Sequence, residues 1–129
     1  MKSNKLVIQI NTPAEDVYNF YIDPKNTPLW INSIVSEQTN EWPIKIGTIY
    51  KNQNKEGAWT EYKVSRLKQN ELFELVTKDG NYHVRYTHRP IDNKTSELEY
   101  YEWVDNDEIP EPFTQGTLQK LKEVVEARA

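Results

Sequence analysis

A chain of 129 residues with 36% hydrophobic residues, no cysteine and a net charge of −4 fits one soluble domain of common size. The missing cysteines exclude disulfides, thiolate nucleophiles, zinc–sulfur sites and iron–sulfur clusters. No stretch concentrates Lys and Arg, which excludes a nucleic-acid footprint, and the longest aliphatic run, Leu6-Val7-Ile8, is far too short to span a membrane. The N-terminus lacks the apolar region of a signal peptide, so the expectation is a cytoplasmic protein with a single domain over residues 1–129.

The aromatic content is high for so polar a chain: 12% aromatics, with eight Tyr and four Trp. The core must be built heavily from rings, whose hydroxyl and indole N–H groups need partners. Such an interior suits a partly wet cavity.

Residues 5–11 alternate, with Leu6, Ile8 and Ile10 on one face, and read as a half-buried strand. Thr12-Pro13-Ala14-Glu15 then reads as a capping box, with Thr12 as N-cap and Pro13 at the first helical position. The helix runs to Ile22 with Ala14, Val17, Phe20 and Tyr21 on one face, and Asp23-Pro24 ends it. A short second helix is predicted over 25–31.

Beyond it, strand-like segments alternate with turn signals: 33–39, 46–53, 57–67, 71–78, 81–91 and 94–104. Short turns between successive strands make an antiparallel meander. An acidic, proline-bearing linker over 106–112 leads into a final helix, whose apolar stripe is Phe113, Thr117, Leu118, Leu121, Val124 and Val125. Gly116, early in this helix, either leaves space against the sheet or permits close packing.

Turn positions set register, and register sets faces. A hairpin tip at Asp92-Asn93-Lys94 places Tyr86 opposite Tyr100, His88 opposite Leu98 and Val84 opposite Glu102. Around Asp79-Gly80, Phe73 meets Tyr86 and Leu75 meets Val84, leaving Glu74 toward solvent. The predicted inner face is Tyr50, Tyr62, Val64, Phe73, Leu75, Tyr82, Val84, Tyr86, His88, Leu98, Tyr100 and Glu102. A bulge near Arg66-Leu67 would shift part of this set.

The segment Ile10-Asn11-Thr12-Pro13-Ala14-Glu15-Asp16-Val17-Tyr18, the stretch from Asp23-Pro24 to Pro28-Leu29-Trp30, and Ile46-Gly47 resemble motifs of the START-like helix-grip superfamily, which includes polyketide cyclase/dehydratase-like and lipid-transfer-like proteins. The resemblance spans nearly the whole chain. It implies an α+β helix-grip fold: a curved antiparallel sheet of about seven strands wrapped around a long C-terminal helix, with two short helices after the first strand. It also implies a ligand between sheet and helix, and it carries over no catalytic residue. The expected lining is Tyr62, Val64, Phe73, Leu75, Tyr82, Val84, Tyr86, His88, Leu98, Tyr100 and Glu102 from the sheet, with Phe113, Thr117 and Leu121 from the helical segment.

His88 and Glu102 are the ionisable residues of the inner set and the candidates for acid–base chemistry; each can equally be a satisfied core group or a ligand-orienting one. Neither a metal nor a cofactor is expected. The two His, at 83 and 88, fall on opposite strand faces, and the four Gly are isolated at 47, 57, 80 and 116. Trp59, Tyr101 and Trp103 on the outer face are either scattered exposure or a self-association patch, the basis for a possible homodimer. Three functions remain open: a carrier or sensor of a small hydrophobic molecule, a cyclase- or dehydratase-like enzyme, and a protein-interaction module related to chaperone activators.

Overall fold

The computed structural model describes residues 2–128. Seven strands form one antiparallel sheet: β1 (Ser3–Ile10), β2 (Ile34–Thr39), β3 (Ile49–Asn54), β4 (Trp59–Lys68), β5 (Leu72–Thr77), β6 (Tyr82–Asp92) and β7 (Thr95–Val104). Their spatial order is β1-β7-β6-β5-β4-β3-β2, so the first strand closes against the last and β2 is a free edge. Helix α1 (Ala14–Ile22) and a 3-10 turn (Pro24–Leu29) follow β1, and helix α2 (Gln115–Arg128) ends the fold. This is the α+β helix-grip architecture the sequence predicts.

The predicted register holds at every pair named: Tyr86 with Tyr100, His88 with Leu98, Val84 with Glu102, Phe73 with Tyr86 and Leu75 with Val84. Three irregularities, at Val35, Ser65 and Ile91, interrupt the ladders, and bulges of this kind bend strands and raise twist. The one in β4 lies at Ser65, just before the predicted position, and it turns Leu67 to the Phe73 side.

Two local expectations give way. Helix α1 starts one residue late: Pro13 is its N-cap, and no side chain caps it. The Thr12 carbonyl instead accepts the Ser96 hydroxyl, and the Thr12 side chain is buried. Thr12 is therefore spent on joining the loop to β7. Glu74 does point to the outer face but is only 7% exposed, covered by Ser65, whose hydroxyl donates to it at 2.9 Å, and flanked by Arg66 and Arg85.

The core fills the concave face. Leu118, Leu121 and Val125 of α2 are buried against it, and Val17, Tyr18, Phe20, Tyr21 and Ile22 enter from α1. Gly116 plays neither of its expected roles. It is exposed, and a Cβ there would meet only the Thr114 hydroxyl at 3.5 Å, an ordinary contact. Gly116→Ala should therefore stabilise the protein by about 1 kcal/mol through helix propensity alone, read as a shift of the urea midpoint with unchanged slope.

Candidate functional site

The concave face holds a small inner chamber of about 70 Å³. Of the predicted lining residues, Tyr62, Phe73, Leu75, Tyr82, Val84, Tyr86, Tyr100 and Phe113 border it. Val64, Leu98 and Leu121 are packed into the core beside it, and Thr117 faces a different surface hollow. The chamber is therefore not under α2, as expected. It lies between the sheet and the segment from the 3-10 turn to Ile34, with Phe113 as the contribution of the chain leading into α2. The remaining wall comes from Tyr21, Thr27, Trp30, Ile31, Ile34, Glu37, Tyr50 and Asn52.

Outside the chamber a groove of about 510 Å³ opens to solvent between β3, β4, the β5–β6 turn and residues 108–111. Ile31, Ile34, Asn52, Tyr62, Tyr82 and Phe113 border both spaces, so they form the wall the two share. A larger hollow of about 790 Å³, around Trp59, Lys51, Glu61 and Lys78, adjoins the groove at Thr60, Thr77 and Asp79. It is an open surface depression in which Lys51 pairs with Glu61 at 3.9 Å, and we give the site to the concave face.

Glu102 is fully buried and acts purely as an acceptor. Tyr82 Oη donates to Oε1 at 2.6 Å; Asn4 Nδ2 and the Phe113 backbone N–H each donate to Oε2 at 2.8 Å. Asn4 Nδ2 also donates to the Phe113 carbonyl at 2.9 Å. Phe113, so held, stacks flat on Tyr100 with centroids 4.4 Å apart and meets Trp30 edge-on. The predicted acid–base candidate is thus consumed in seating the chamber wall.

His88 is 5% exposed and does not border the chamber. Tyr21 covers it, stacked at 5.2 Å on His88 and at 4.5 Å on Tyr86. Neither ring nitrogen has a protein partner, and burial pushes the imidazole down to about 4. It is neutral at pH 7.

The ionisable group that does border the chamber is Glu37, in β2. The Thr27 hydroxyl donates to its Oε1 and Asn52 Nδ2 to its Oε2 at 3.4 Å. Burial raises its carboxyl to about 7, outweighing those two hydrogen bonds. Sequence reading missed it for a specific reason. Strict alternation from Ile34 sends Ser36 inward and Glu37 outward. The bulge at Val35 reverses that, pairing Glu37 with Asn52 on the inner side. The signal available was Tyr50: two residues along β3, Asn52 shares its face, and any β2 residue opposite Asn52 must point inward.

Burial holds the hydroxyls of Tyr21, Tyr50, Tyr62, Tyr82, Tyr86 and Tyr100 above the ordinary phenol range, so all are neutral. Tyr50 donates to the Ile22 carbonyl at 2.6 Å. The Tyr21 hydroxyl and the Trp30 indole N–H have no protein partner, although both residues border the chamber. Buried polar atoms are rarely left so without water or a ligand to satisfy them.

On the outer face Trp103 is not an open patch with Trp59. It is half-buried, stacked on His83 at 4.5 Å and on Tyr101 at 5.1 Å, with Arg85 over both rings of the Tyr101–Trp103 pair. Trp59, on β4, is 49% exposed and separated from it by two strands. Among the described residues no helix is long and apolar enough to cross a membrane.

No family model and no curated protein matches the sequence. Solved structures do match. A START superfamily protein from Mycobacterium smegmatis superposes with a TM-score of 0.79 at 11% identity, over 100% of both chains. A Chromobacterium violaceum protein gives 0.69 at 17% identity, over 98% of this chain and 99% of that one. The Aha1 dimer from Colwellia psychrerythraea gives 0.70 at 15% identity, over 98% and 97%. The fold is that of the START-like helix-grip proteins. At such identities the likeness establishes the fold alone.

Two measurements test the roles assigned here. Glu102→Gln puts an amide N–H₂ among three donors, so it should cost about 2–4 kcal/mol in urea unfolding. His88 and Glu37 affect the pH dependence of stability in opposite directions. His88 falls from 6.5 in the unfolded chain to about 4, so its contribution to stability is lost as pH falls from 6.5 through 4. Glu37 rises from 4.5 to about 7, so its contribution is lost as pH rises from 4.5 through 7. Between the two unfolded values the slopes cancel. Stability should rise with pH across that window in Glu37→Gln and fall in His88→Phe.

Proposed function

We propose that this protein holds a small amphipathic molecule, its apolar body in the outer groove and its polar end in the inner chamber. The observation that carries this is the adjacency of the two spaces, which share six lining residues, with a Glu37 carboxyl that has no cation beside it and two unpartnered buried donors, Tyr21 and Trp30, on the inner one. The chamber alone is too small for a ligand, whereas the groove falls within the range of about 300–1,000 Å³ common for small-molecule sites. The START-like fold is compatible with this reading but does not choose the ligand. Carrier or sensor is the role favoured, because the groups expected to do chemistry, His88 and Glu102, are respectively covered by Tyr21 and engaged by three donors.

The acid–base reading survives in altered form. Glu37, near neutrality and at the chamber wall, fits a general acid or base better than either of those two, because catalytic groups work best with a pKa near the operating pH. If the protein is an enzyme, Glu37→Gln abolishes turnover while sparing binding, and the rate profile has a limb near pH 7.

Native mass spectrometry of the protein from its own host tests the carrier reading by the mass of a retained small molecule. The neutral dye Nile red provides a second test. Pro110, exposed on the groove wall and outside the neighbouring hollow, becomes an obstacle as Pro110→Trp, which should weaken dye binding about tenfold with unchanged thermal unfolding. Equal dye affinity in the two proteins would place the ligand elsewhere.

A further inference from the structure

Asp79, Glu108 and Glu111 border the groove, and among the described residues no Lys, Arg or His side chain lines groove or chamber. Glu108 at the rim is already engaged by positive charge, Lys2 included, and is held below the ordinary carboxylate range. Within the chamber the single carboxyl, Glu37, is surrounded by rings. Thr27 faces it from the 3-10 turn, Asn52 and Tyr50 from β3, Tyr62 from β4 and Tyr86 from β6, and none of these is cationic. Glu102 and Asp23, the next carboxylates, lie beyond Tyr62 and Tyr50 and are also acidic.

Aromatic faces carry negative potential and attract cations, most strongly where water is excluded. A carboxyl with no cation beside it, in a ring-walled space, lacks the one partner that would favour its ionised form. The Tyr21 hydroxyl, on a residue 4% exposed, adds an oxygen with both lone pairs free. At about 70 Å³ the chamber has room for about two water-sized groups, the scale of a small head and not of a ring.

We propose that the inner chamber is a cage for the ammonium head of an amphipathic amine, with Glu37 as counter-ion and the amine's apolar body in the groove. The proposal rests on the ligand-binding reading above and narrows it. Fatty acids and phosphorylated ligands are disfavoured, since Glu37 in the chamber and Asp79 and Glu111 on the groove would repel them. Binding converts the protonated Glu37 carboxyl to carboxylate, and that proton leaves to solvent.

Calorimetric titration with naphthylethylamine, naphthylethanol and naphthylacetate separates charge from shape. The amine should bind about tenfold more tightly than the alcohol, and the acetate more weakly than the alcohol. Glu37→Gln should remove the amine's advantage and leave the alcohol within about twofold. The wild-type protein gives a measurement independent of that variant: in buffers of differing ionisation enthalpy at pH 6, amine binding releases a proton and alcohol binding does not. Equal affinity of amine and alcohol, or equal proton release, overturns the cage and leaves the groove reading standing. Failure of all three ligands and of Nile red removes both.

Discussion

A carboxyl group taken fully out of water is tolerated only where hydrogen-bond donors replace the water it has lost, and Glu102 finds three such donors on three different pieces of chain. Asn4 comes from the first strand, Tyr82 from the sixth, and the Phe113 N–H from the segment entering the last helix. The sheet order that sets β1 beside β7 brings them together. One side chain thereby ties both ends of the fold to its middle. What it fixes is the position of Phe113, and with it the stacked Tyr100 and the wall shared by groove and chamber.

Glu37 is the same residue type in an opposite situation. It sits on the free edge strand, held by one hydroxyl and one long amide contact, and burial leaves it near neutrality. Two carboxyl groups in one small core are driven apart in behaviour by what surrounds them, a pattern that separates structural from reactive acids generally. Glu102 is engaged by three donors away from the chamber. Glu37 has two weaker contacts and borders the chamber.

Most of the fold could be read in the chain because its signals are local and agree with one another. Alternation in 82–92 and 95–104 and the turn between them fix the Tyr86–Tyr100 register, which then propagates through Phe73 and Leu75 to the neighbouring strands. The site was only half legible, and the losses are particular. The bulge at Val35 has no turn residue to announce it, so Glu37 was not among the residues read as inward. Tyr21 and Trp30 arrive from segments whose docking angle is set by tertiary packing, which no periodicity encodes. Thr117 and Leu121 belong to a genuine apolar stripe, but a stripe says that a face is buried, not whether it meets a void or a packed core. His88 was correctly turned inward, and only the stacking of Tyr21 on it removes it from the chamber.

The edge position of β2 also bears on how such a pocket could change over time. Central strands are locked from both sides, so an insertion or deletion there disturbs two ladders. In β2 the residue presented to the chamber is decided by one extra residue, Val35, in a strand paired on one side only. Loss or relocation of that single residue would exchange Glu37 for a neighbour in the chamber wall while leaving the Glu102 anchor and the seven-strand scaffold in place. The fold thus keeps the determinant of its interior chemistry on the strand whose alteration costs least, which allows closely similar backbones to diverge in what they hold.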